Sequence, residues 1–77
     1  MSTDLAYLMA VRVQGFTKPE RVAVAVGTSL DDAGGRLGDF LDQDLLKETK
    51  LGFKMTESGL VRLNELLAEE RIGRAHV

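Results

Sequence analysis

Through Asp4–Val13, apolar residues recur at three- and four-residue spacing, and Leu5, Leu8, Met9 and Val13 mark one stripe of a helix. Ser2, Thr3 or Asp4 can cap its start, and Gln14-Gly15 ends it, leaving Phe16 to anchor the next connection. Tyr7 and Val11 fall off that stripe, which gives the helix a second apolar face. Thr17-Lys18-Pro19-Glu20 then reads as a capping box, with Thr17 as N-cap and Pro19 in a first turn where its missing N–H is not needed. The helix that follows, Pro19–Val26, is stopped by Gly27. Its run Val22-Ala23-Val24-Ala25-Val26 has no polar face, so Val24 is left outward or half-buried once Val22, Ala23 and Val26 enter the core.

A third helix is predicted from about Leu30 to about Gln43, capped by Thr28 or Ser29, with Asp31 and Asp32 at its positive end. Leu30, Ala33, Leu37, Phe40 and Leu41 share its core stripe, and Asp32, Gly35, Arg36, Asp39 and Gln43 face outward. Gly34, Gly35 and Gly38 each cost roughly 1 kcal/mol relative to Ala in a helix interior. Either this helix frays or something approaches its backbone closely. Leu45–Thr49 and Phe53–Thr56 then read as two short strands around Lys50-Leu51-Gly52. A last helix runs from about Glu57 to Ile72, capped by Thr56 or Ser58, with Leu60, Leu63, Leu66 and Leu67 on its apolar side. Gly73 ends it, and Arg74-Ala75-His76-Val77 has no pattern. The sum is a mainly α chain with a small β-hairpin (α+β), in the order helix-helix-helix-strand-strand-helix. It forms one domain over residues 5–72, with frayed ends at 1–4 and 73–77.

Composition narrows the class. At 77 residues and 44% apolar content the chain suits one small globular domain. It has no cysteine, which excludes disulfides and thiolate metal sites and points to the cytoplasm. No apolar run approaches the roughly 20 residues that span a bilayer, and the start lacks the basic residues of a signal peptide. No membrane partner is expected. The net charge of −2 gives no overall attraction to nucleic acid.

Three local patterns sit at meaningful places in this order. Val22-Ala23 and Val26-Gly27 form an apolar–Ala, apolar–Gly turn pattern. Leu37, Phe40, Leu45 and Leu46 are spaced apolar positions leading into the hairpin. Met55-Thr56-Glu57-Ser58-Gly59 resembles a Leu-Thr-x-x-Gly entry into the last helix. From about Leu5 to about Glu70 the chain resembles a winged helix-turn-helix domain, most like bacterial MarR-type transcriptional regulators. The resemblance implies double-stranded DNA as partner, with the third helix in the major groove. Two positions depart from it. Asp44 stands where the family has Gly, and the outward residues of the third helix are Asp, Gly and a single Arg.

Two functional readings follow. In the first, Arg36 reads a guanine edge, while Lys18, Arg21, Lys47, Lys50 and Lys54 contact the DNA backbone. Lys47–Lys54 carries three lysines against Glu48, a local charge of +2, although lysines on a hairpin also serve simply to block edge-to-edge pairing. Against this, Thr28–Leu46 carries Asp31, Asp32, Asp39, Asp42 and Asp44 against Arg36 alone. Carboxylates near phosphates oppose binding, so the expected DNA affinity is weak. In the second reading, the fold is a protein-interaction or regulatory module, or a homodimer, standing alone or as part of a longer polypeptide. Its contacts would be Asp32, Asp39 and Gln43, with Tyr7, Val11 and Val24 as apolar surface. Scattered apolar exposure is also ordinary in a small domain.

An enzyme is not expected. His76 sits in the patternless end, neighbouring acids on a helix do not face a common point, and no base–nucleophile set is present. Gly34-Gly35-x-x-Gly38 lies inside a helix pattern rather than after a strand, so it is not a phosphate loop. No metal or cofactor is expected.

Overall fold

The computed structural model describes the backbone of residues 3–75 and the side chains of residues 3–70. The elements are α1 (Thr3–Gln14), α2 (Pro19–Val26), α3 (Leu30–Asp42), β1 (Leu46–Thr49), β2 (Gly52–Met55) and α4 (Glu57–Ala75). The chain is thus mainly helical with one two-stranded antiparallel hairpin, in the order expected from the sequence. Ser2, His76 and Val77, read above as a candidate cap and a frayed end, lie outside the described residues.

Local chemistry accounts for most boundaries. Pro19 opens α2, and Gly27 closes it with φ 82°, its N–H reaching the Ala23 carbonyl at 2.8 Å. Ser29 caps α3, its hydroxyl accepting from the Asp32 N–H at 3.1 Å. After α3 the chain reverses through Asp44 at φ 63°, a left-handed conformation disfavoured for any residue with a Cβ. Thr56 ties that turn to α4. Its hydroxyl donates to the Asp44 carbonyl at 2.5 Å and accepts from the Gly59 N–H at 3.0 Å.

The core draws on every helix: Leu5, Leu8 and Val11 of α1, Val22 and Ala23 of α2, Leu37 and Phe40 of α3, and Leu63 and Leu66 of α4. Leu45 and Leu46 close it at the hairpin. Tyr7 packs edge-on to Phe40, with ring centroids 6.5 Å apart.

Several expectations are corrected. On α1 the buried side is Leu5, Tyr7, Leu8 and Val11, while Met9 and Val13 face solvent. α1 is apolar nearly all round, so tertiary packing chose the side. Thr17 does not cap α2. It is buried, exchanges backbone hydrogen bonds with Phe53 and donates its hydroxyl to Gln14 Oε1. Lys18 takes the N-cap position without a side-chain bond. Thr17 thereby forms an isolated bridge alongside β2. Leu30 is exposed and Leu41 half-buried, so the core stripe of α3 is narrower than its spacing predicts. On α4, Leu60 is half-buried and Leu67 borders on exposed. Thr3 and Asp4 belong to α1, and α4 runs through Gly73 to Ala75. Those stretches are helical where frayed ends were expected. α3 is also continuous, and a Cβ at Gly34, Gly35 or Gly38 would meet nothing within 4 Å. Neither fraying nor a close approach within the chain accounts for these glycines.

Candidate interaction surface

The solvent side of α3 follows from its sequence. Burying Ala33, Leu37 and Phe40 turns Asp31, Asp32, Gly34, Gly35, Arg36 and Asp39 outward. The acids of the first turn have a structural use, since carboxylates favour a helix N-terminus. Asp32 also accepts from the Thr28 hydroxyl at 3.3 Å. Asp39, two turns further on, has no such use. Arg36 is the only cation of α3, and its Nη1 donates to Asp4 Oδ1 of α1 at 3.2 Å. The two side chains keep 43% and 41% exposure. Solvent screening makes the pair a weak contributor to stability, but it directs the guanidinium towards α1 and neutralises it.

Between the start of α1 and α3 lies a concavity of about 430 Å³. Its lining includes Tyr7, Asp31, Asp32, Gly35, Arg36 and Asp39. The fold thus brings together four residues named from sequence, Tyr7, Asp32, Arg36 and Asp39, from opposing readings of the function. Gly35 and Asp31 were not singled out as contacts. For Gly35 the signal is the absence of any folding reason for a glycine mid-helix, whereas Asp31 has one as a first-turn acid.

None of the lysines read from the sequence lines that concavity. Lys47 and Lys54 face each other across the hairpin, and Lys50 sits in its turn. Lys54 Nζ lies 5.5 Å from the centroid of the Phe16 ring, a cation–π distance. Lys18 and Arg21 are exposed at the start of α2. Gln43 is exposed at the end of α3, its N–H bonded to Asp39 O at 3.1 Å.

The apolar contact set needs revision. Val11 is fully buried and Tyr7 only 3% exposed, with its ring packed edge-on to Phe40, so neither offers an apolar surface. Val24 is open, at 84%. The apolar surface of α1 is built instead from Ala6, Met9, Ala10 and Val13, which with Ala25 of α2 line a shallow groove of about 360 Å³. Sequence reasoning placed Met9 and Val13 in the core.

Among the described residues, no group of His, Cys, Asp and Glu side chains is placed to hold a metal ion. No helix there is long and apolar enough to cross a membrane. No protein-family model matches the chain, and no curated protein matches it significantly.

Proposed function

We propose that this chain is a winged-helix regulatory module, most like the MarR type in layout, that docks on another protein through the outer face of α3. One observation carries the reading. That face presents carboxylates and bare glycine backbone, and its single cation is already paired with Asp4. A helix entering a DNA groove meets a dense row of phosphates, where Lys and Arg supply most of the affinity. Here Asp39 would add repulsion at closest approach, and Arg36 would have to leave Asp4 to reach a base edge. A basic protein surface reverses both signs.

A second reading is a DNA-binding transcriptional regulator of low affinity. It is favoured by the exposed cations Lys18, Arg21, Lys47, Lys50 and Lys54 on α2 and the hairpin. These could hold a DNA backbone without helping α3 to read sequence.

Titration of isotope-labelled protein with a mixed-sequence duplex, at low and moderate salt, separates the two. Docking on protein predicts amide shifts confined to the hairpin or absent altogether, with Gly35 and Arg36 unmoved. Saturable shifts at Gly35 and Arg36 that fade steeply with salt would overturn it in favour of DNA.

A further inference from the structure

We infer that the concavity between α1 and α3 is a receptor for an arginine side chain presented by the partner protein. The inference rests on the protein-docking reading and names the group recognised. Three carboxylates line the site, Asp31, Asp32 and Asp39, and Arg36 is paired with Asp4 outside the lining, so the lining together with Asp4 carries a net charge of −3. Acids alone would be ordinary solvated surface. Tyr7 is what sets this place apart. The residue is only 3% exposed, and its hydroxyl makes no hydrogen bond among the described residues. No fully buried polar atom there lacks a partner. The hydroxyl therefore keeps its contact with the outside, and Tyr7 lines this concavity. A buried phenol with an unused oxygen, opening among carboxylates, offers an acceptor that folding does not consume.

The size and shape of the cation follow. The carboxylates do not converge closely enough for a metal ion, which leaves a larger, delocalised charge. A guanidinium carries five donors in a plane and suits several separated acceptors. Gly35 supplies the floor, since it lines the concavity and a Cβ there would meet nothing within 4 Å beyond its own helix backbone and chain neighbours. The missing side chain leaves room for a flat group to lie over helix backbone. This gives one of the three unexplained glycines a purpose.

The test uses Nα-acetyl-arginine-methylamide as probe, with its citrulline and lysine counterparts, titrated into labelled protein at low ionic strength. The expected result is saturable shifts at Gly35, Arg36 and Asp39 with the arginine compound, several-fold weaker with lysine and absent with neutral citrulline. Tyr7→Phe should weaken binding about three- to tenfold, as for one lost hydrogen bond, and Asp39→Asn by about tenfold. Gly35→Ala should abolish saturation while raising stability, and Gly34→Ala should raise stability alike and bind as the parent does. Equal binding of arginine and citrulline, no saturable shift, or undiminished binding by Gly35→Ala would each overturn the inference. If arginine fails while duplex DNA also leaves α3 unmoved, the pocket is wrong and the docking reading stands. If DNA moves Gly35 and Arg36 with steep salt dependence, both fall.

Discussion

Thr17 and Phe53 exchange two backbone hydrogen bonds, N–H to carbonyl at 3.0 Å one way and 2.6 Å the other. The exchange fastens the α1–α2 connection to the hairpin. It depends on Gly52, where φ is 124° and a Cβ would overlap the Thr17 carbonyl. Gly52→Ala is therefore expected to destabilise the fold by about 2–3 kcal/mol, from backbone overlap and left-handed strain together. Urea unfolding followed by circular dichroism checks it, and a loss below about 0.5 kcal/mol would refute the account.

Asp44 offers the opposite change. Its φ of 63° is costly for a residue with a Cβ, by roughly 1–2 kcal/mol. Aspartate tolerates it better than most, and glycine gives back some gain through a freer unfolded chain. Asp44→Gly should stabilise by about 0.5–1 kcal/mol, read as a raised denaturant midpoint at unchanged slope. The carbonyl that accepts from Thr56 is backbone, so the link to α4 survives.

Gly34→Ala and Gly38→Ala should each stabilise by about 0.5–1 kcal/mol, because the new methyl meets no neighbour and helix propensity alone decides. Thermal unfolding of the two single variants and the double tests this. Destabilisation by either would mean that the backbone is approached more closely than the structure has it.

Lys47 and Lys54 stand directly opposite in the hairpin register. Like charges so placed are mildly repulsive, and Lys47→Glu should turn the pair attractive, a gain of about 0.2–1 kcal/mol that shrinks as salt rises. A gain independent of salt would exclude an electrostatic origin.

The sequence was most legible where a residue's own backbone preference decides the structure. Pro19, Gly27 and Ser29 bound α2 and α3 through dihedral limits and one local hydrogen bond. It was least legible where distant partners decide. Thr17 satisfies a capping pattern, yet pairing with Phe53 draws it inward, and that pairing is invisible in a four-residue window. Met9 and Tyr7 are both apolar on a helix with few polar positions, so periodicity could not choose between their faces; Phe40 and the α4 leucines did. The candidate site was legible in part. Asp32, Arg36 and Asp39 are outward as their spacing required, but only the fold shows Arg36 held by Asp4 and Tyr7 opening beside them.

The three glycines within α3 also set how that helix breathes. Compared with alanine at the same positions, they withdraw about 3 kcal/mol of intrinsic helix stability from a thirteen-residue element. What remains is supplied mainly by Ala33, Leu37 and Phe40 on the buried side of the helix. The solvent-side amides of α3 should then exchange with deuterium sooner than those of α1. A partner that lies on this strip would slow that exchange, and some of its binding energy would go into stiffening the helix.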